Sequence, residues 1–401
     1  MKFIKNKLNE EEKLEDYKKE TKKSIVFKSL MNTDLKTLKA NFSNKIKNSN
    51  KLILSEKKRK VVAFDMGSSM IKIVEGIYYK KDLIIDKYVV VQTPKGAIID
   101  GEIKKEEELK NKLSQVLKEN GIKAKYAICT TNSSLIINRE IIIPKVEEEE
   151  METVIRYEIQ QYLPINLDDY ILQGIVLNEK EVDETKKLDV RVVAYPERIA
   201  RTYYNFLLKL ELKPYALDVN YNAVNKFVNL IGINNEFEHN SNDAVVLIDL
   251  GASSIDVNIY KNGKLDFTRI IKDCGNEIDE MLTRRGNLEV SKMEDFKERN
   301  INLYDELDSV NILARNIIDE WIEKIEKIIQ FYKNRNINNE LNNIMIFGGS
   351  SKIIGMEEYM TKKLGIKTRI KGITKIAFKS NDDGKPIDDF INVIGSLIRN
   401  E

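Results

Sequence analysis

Short apolar runs alternate with helix-like stripes along this chain, the succession expected of an α/β protein. Residues 61–74, VVAFDMGSSMIKIV, form an apolar run that ends on Asp65, breaks at Gly67, Ser68 and Ser69, and then resumes. The pattern predicts a β-hairpin. Residues 245–260, VVLIDLGASSIDVNIY, repeat it with Asp249, Gly251, Ala252, Ser253 and Ser254. Two copies separated by almost half the chain predict a duplicated fold. A third apolar strand runs into Gly348, Gly349 and Ser350 in IMIFGGSSKIIG, residues 344–355, with a helix expected to begin near Ile353.

Between these landmarks the periodicity predicts further elements. Strands are expected at 83–91, 126–130, 135–143 (stopped by Pro144), 170–176, 189–195 and 264–271, with a loop at 93–101 and a turn at Asn262-Gly263. Helices are expected at 104–120, 147–162 and 197–210, the last presenting Ile199, Tyr203, Phe206, Leu207 and Leu210 on one face. Residues 214–219 lead into a helix starting near Asn222, and 312–332 read as a long amphipathic helix with Trp321 in the core. The acidic run at 147–150 complements a helix N-terminus and needs no catalytic role.

The hairpin turns carry candidate chemistry. Gly67 lets backbone approach an anion, Ser68 and Ser69 offer donors, and Lys72 adds positive charge. Asp65, at the strand end, is placed to hold a hydrated Mg²⁺. A tight turn between two core strands calls for the same Gly and Ser for backbone reasons, so one hairpin alone leaves both readings open.

Composition narrows the class. Of the 401 residues 42% are hydrophobic, enough for two or three lobes with proper cores. The net charge is +2, but residues 1–60 hold 18 Lys and Arg against 8 Asp and Glu, which describes a basic arm and not a chain-wide nucleic-acid surface. In that arm Met31, Leu35, Leu38, Phe42 and Ile46 recur at helical spacing among lysines. This suits an anionic lipid surface, a docking partner, or a solvated Lys-rich tail. Two cysteines (Cys129, Cys274) and one histidine (His239) exclude a disulfide framework and a Cys/His zinc site. No run approaches the ~20 apolar residues of a spanning helix, and the N-terminus is too polar for a signal peptide, so a cytoplasmic protein is expected.

The two hairpins and the Gly-Gly-Ser-Ser turn resemble the two phosphate motifs and the adenosine motif of the actin, sugar kinase and heat-shock ATPase superfamily. GAIIDGEI (96–103), REIIIPKV (139–146), IRYEIQQYLPI (155–165), LKPYALDVN (212–220) and VIGSLIR (393–399) are similar to the PilM-type branch of type IV pilus assembly proteins, relatives of FtsA. The resemblance spans residue 59 to the end. It implies duplicated actin-like, RNase H-like α/β domains forming two lobes around a nucleotide cleft, with a small inserted α+β subdomain. The implied division is an arm at 1–58, a first lobe at 59–92 and 180–222, the insertion at 93–179, and a second lobe at 223–401.

The resemblance further implies ATP with Mg²⁺, the metal held through water by Asp65 and Asp249. Phosphates would be gripped by Gly67, Ser68, Ser69, Lys72, Gly251, Ala252, Ser253 and Ser254. Adenosine would meet Gly348, Gly349 and Ser350, and Glu294 and Lys297 match the family's Glu-x-x-Lys helix; an exposed helical ion pair explains those two equally. In hydrolysing relatives the crossing between lobes supplies a Glu or Gln to orient water. Here it offers only Asp218, Asn220 and Asn222, so slow or absent hydrolysis is expected. The implied role is a cytoplasmic scaffold, peripheral at the inner membrane face. It would bind the tail of a PilN-like inner-membrane protein and link it to a pilus motor ATPase or platform proteins. An FtsA-like membrane-tethering filament and a small-molecule kinase are the alternatives. The first would show polymers with ATP, and the second would need a catalytic Asp facing a sugar pocket.

Overall fold

The structure, a computed structural model, describes residues 58–163, 165–182, 185–231, 243–261, 264–272, 274–285, 293–335, 340–369 and 387–399. The apolar stripe of the arm, His239 and the Asn262-Gly263 turn lie outside them. The described chain forms two compact units, Leu135–Leu217 and, as the larger, Lys58–Ser134 with Asp218–Ile398.

The larger unit opens with an antiparallel meander of β1 (Lys60–Met66), β2 (Met70–Tyr79) and β3 (Asp82–Gln92). Residues 93–101 are not all loop: the short strands β4 (Ile98–Ile99) and β5 (Glu102–Ile103) turn through Asp100 and Gly101, both at positive φ (47° and 73°) as a two-residue hairpin turn demands. Helix α1 (Glu106–Glu119) buries Leu109, Leu113 and Val116, and β6 (Tyr126–Thr131) returns parallel to β1. Strand β1 is buried from Val61 to Met66, which is why its sequence is a continuous apolar run and not an alternation.

The chain then enters the smaller unit. Strands β7 (Ile137–Pro144), β8 (Tyr170–Val182) and β9 (Thr185–Pro196) form an antiparallel sheet in the order β7-β9-β8. Helix α2 (Glu148–Tyr162) lays Ile155 and Ile159 on Ile143, Val190 and Val192. It lies so close that a Cβ on Gly174 would come within 2.4 Å of Ile155 Cδ1. Helix α3 (Glu197–Lys209) buries the face expected from its periodicity, and β10 (Lys213–Val219) carries the chain out.

Back in the larger unit, α4 (Asn220–Ile231) leads to a second sheet. Strands β11 (Asp243–Leu250), β12 (Ser254–Lys261) and β13 (Lys264–Lys272) repeat the meander, and β14 (Glu340–Phe347) lies parallel beside β11 with β15 (Lys367–Arg369) outside it. The order β13-β12-β11-β14 matches β3-β2-β1-β6 strand for strand. Helices α5 (Gly275–Arg285), α6 (Met293–Asn300), α7 (Ser309–Arg335) and α8 (Met356–Leu364) surround this half. Trp321 of α7 is buried in the core, its Nε1 donating to Glu277 Oε2 at 2.7 Å. Helix α9 (Ile391–Leu397) packs on β1, β2, β6 and α4. At its crossing with α4, a Cβ on Gly395 would meet Ala223 O at 2.0 Å, so only glycine lets the two backbones approach.

The observed boundaries differ from the expected insertion at 93–179. Tyr126–Thr131 is a ladder partner of β1, and the strand at 189–195 pairs with β7 and β8 and not within the first lobe. Periodicity locates a strand; its sheet is decided by long-range pairing that leaves no local mark.

Candidate functional site

Both hairpins face one cavity of about 570 Å³ inside the larger unit, a volume suited to a small-molecule ligand. In the first, Asp65 pairs across the ladder with Lys72, and the turn at Gly67 is so tight that a Cβ there would lie 2.4 Å from Met70 O. Thr93 braces it, its Oγ1 donating to Gly67 O and its N–H to Ser69 O, both at 2.8 Å. In the second, Asp249 pairs with Asp256, and Gly251 N donates to Ser254 O at 3.1 Å. All the hairpin residues expected to grip phosphates, from Gly67 to Lys72 and from Gly251 to Ser254, line the cavity.

Asp65 and Asp249 come from opposite halves and meet through one amide. Asn392 Nδ2 of α9 donates to Asp249 Oδ2 at 2.9 Å and reaches Asp65 Oδ2 at 3.4 Å. Burial pushes the Asp65 carboxyl up to about 6, with Asp249 adding and Lys72 and Asn392 opposing; Asp249 is also raised, chiefly by burial. Asp256 is pushed up to about 8, again by burial first and then by the charge of Asp249, against hydrogen bonds from Ser254 and Asn132. Three carboxyls thus crowd a weakly solvated space, an environment that favours a cation. Ser68 Oγ and Asn392 Oδ1 are buried with no hydrogen-bond partner. Unspent donors and acceptors beside paired carboxylates fit a phosphate chain with a hydrated divalent ion.

The third motif borders the same space. Gly348 stands at φ 90°, and a Cβ on it would fall 2.3 Å from Asp249 Oδ1. Gly348 and Gly349 line the cavity, whereas Ser350 is buried behind them, its Oγ reaching toward Gly251 O at 3.5 Å. The helix expected near Ile353 begins at Met356 as α8, after a 3-10 turn at Gly349–Lys352. Lys297 is buried against Asp279 at 2.9 Å and does not line the cavity; its neighbour Glu298 does, ion-paired at 3.2 Å with Lys352. Glu294 lies on α6, but its side chain is outside the described residues.

Two of the three water-orienting candidates are committed elsewhere. Asp218 takes a 2.7 Å hydrogen bond from Asn222 Nδ2 and forms a buried 2.6 Å ion pair with Lys226. Neither Asp218 nor Asn222 lines the cavity, whereas Asn220 does, accepting from Thr130 Oγ1 at 3.0 Å. Burial pushes both cysteine thiols up, so each is a small packing residue.

The family model described as "Type IV pilus assembly protein PilM" matches residues 63–384, most of the chain and both hairpins. The chain belongs to the PilM family. A structure of the PilM-PilN type IV pilus biogenesis complex, 20% identical, is covered over 98% of its chain by 85% of this one with a TM-score of 0.73, which shows the PilM fold. Ethanolamine utilization protein EutJ from Carboxydothermus hydrogenoformans (13% identity, 89% of this chain and 94% of that one, TM-score 0.47) is a looser likeness. So is MreB5 of Spiroplasma citri bound to ADP (14%, 84% and 95%, TM-score 0.45). Likenesses this loose carry no functional argument, so the family match, with its role in type IV pilus assembly, is what stands beside the geometry. Among the described residues of this PilM-family chain, no helix is long and apolar enough to cross a membrane.

The sequence reading missed Asn132, Asp256 and Asn392. The available signal was a lone polar residue inside an apolar run, as in SIDVNIY and FINVIGSLI.

Proposed function

We propose that this chain binds ATP with Mg²⁺ in the cavity between its two hairpins. In type IV pilus assembly it serves as a cytoplasmic scaffold for the N-terminal tail of a PilN-like membrane protein. The observation that carries the nucleotide reading is the Asp65–Asn392–Asp249 bridge beside the unpartnered Ser68 Oγ and Asn392 Oδ1. Asp65 and Asp249 would hold the metal through water, the two turns and Lys72 would hold the phosphates, and Gly348 and Gly349 would let adenosine approach the backbone. The metal would supply charge neutralisation for the phosphates. Engagement of Asp218 and Asn222 away from the cavity supports binding without fast hydrolysis. Coupling follows if ATP binds one state of the larger unit better than another.

Titration calorimetry with Mg-ATP on the intact protein and on Asp249→Ala tests the site. Saturable binding by the first and at least a hundredfold weaker binding by the second is expected. No binding by the intact protein would leave a nucleotide-free adaptor. A synthetic peptide of the N-terminal tail of a PilN-family protein, titrated with and without ATP, tests the coupling. Equal affinities would exclude it.

A further inference from the structure

The duplication aligns positions in the two halves. Asp65 faces Lys72 on one side and Thr130 on the other; Asp249 faces Asp256 and Phe347. Lys72 of the first half therefore corresponds to Asp256 of the second, and the residues after Thr130, Thr131 and Asn132, correspond to Gly348 and Gly349. The site is internally inverted in charge, a lysine in one hairpin standing where the other has a carboxylate. On the nucleotide reading above, a base against Gly348 and Gly349 would send its phosphates toward the hairpins. The corresponding turn of the first half, at Asn132, lines the same cavity, where a terminal phosphate would reach it.

There a clasp is already made. Asn132 Nδ2 donates to both oxygens of Asp256, at 2.7 and 2.6 Å, and Ser254 Oγ reaches Asp256 Oδ1 at 3.2 Å. Asp256 is buried, and both residues line the cavity. The backbone under Asn132 is fixed from behind. A Cβ on Gly101 would lie 2.3 Å from Asn132 O, and Asp100 accepts from Ser134 N at 2.7 Å and from Ser134 Oγ. With the backbone held, the Asn132 amide is the part free to change partner.

Resting on the nucleotide reading above, we propose that the Asn132–Asp256 clasp makes this site distinguish nucleoside triphosphate from diphosphate. A terminal phosphate competes with Asp256 for the Asn132 amide; a diphosphate, one group shorter, leaves the clasp closed. The chain passes into the Leu135–Leu217 unit three residues beyond Asn132.

The two halves of the clasp push the ratio of ATP to ADP affinity in opposite directions. Asp256→Asn leaves one acceptor oxygen where there were two, loosens the clasp and is expected to raise the ratio about tenfold. Asn132→Ala removes the phosphate's donor, leaves the carboxylate, and is expected to lower it by a similar factor. Calorimetry with Mg-ATP and Mg-ADP reads both. Hydrogen exchange over residues 130–137 gives a second readout, in which wild type and Asp256→Asn differ between ATP and ADP and Asn132→Ala does not. Should Asn132→Ala fold poorly, Asp256→Asn, which opens no cavity, carries the test. Nucleotide bound by all three proteins with an unchanged ratio overturns the clasp and leaves the site; no nucleotide bound by the wild type overturns the site itself.

Discussion

The two hairpins share a plan and differ in what they oppose to their aspartates. The first puts Lys72 across from Asp65 and braces its turn from outside with Thr93. The second puts Asp256 across from Asp249 and packs its turn on its own half, Gly275 N donating to Gly251 O at 3.2 Å and Asn276 N to Ala252 O at 2.8 Å. One sets a lysine against its aspartate, the other a second acid held by the Asn132 amide. The two halves thus share matched backbones, and their side chains make them unequal.

The largest expected effect breaks the comparison by removing the anionic member. Asp256 titrates near 8 when folded, against about 3.9 in an unfolded chain. Its raised folded pKa contributes stability that is fully present below the unfolded value and is lost as pH rises toward 8. Without nucleotide, Asp256→Asn should gain stability relative to wild type between pH 5 and pH 9, on the order of 4 kcal/mol. Urea unfolding at the two pH values checks this; a pH-independent difference would mean that Asp256 stays ionised.

Next in size is the unequal tightness of the turns. A Cβ on Gly67 would sit 2.4 Å from a backbone carbonyl, and on Gly251 2.9 Å from one. Gly67→Ala should cost about 2–3 kcal/mol and Gly251→Ala about 1, read as thermal midpoints in one buffer. Equal losses would show that the first turn relaxes. The smallest effect concerns the cationic grip. Lys72→Ala should weaken Mg-ATP binding about tenfold, or ~1.4 kcal/mol, and reduce its salt dependence. Lys352→Ala, at a side chain already ion-paired to Glu298 and Asp389, should change affinity less than threefold.

Much of this was legible in the sequence because it is local. Asp-Gly-Ser turns, apolar runs and the buried face of α7 around Trp321 are written in consecutive residues. Asn392 bridges Asp65 and Asp249 across separations of 327 and 143 residues, and the clasp joins Asn132 to Asp256 over 124. Such pairs depend on which strand ends a fold brings together. Lys297 shows the converse: its motif spacing pointed to adenosine, yet the folded chain spends it on Asp279.

The position of Asn392 also gives the site a history. Both phosphate hairpins leave the ribosome well before the residue that joins their aspartates. Asn392 follows Asp249 by 143 residues, on the order of ten seconds of synthesis at ~5–20 residues per second. For that interval a nascent chain holds both aspartates without the amide that joins them in the finished protein.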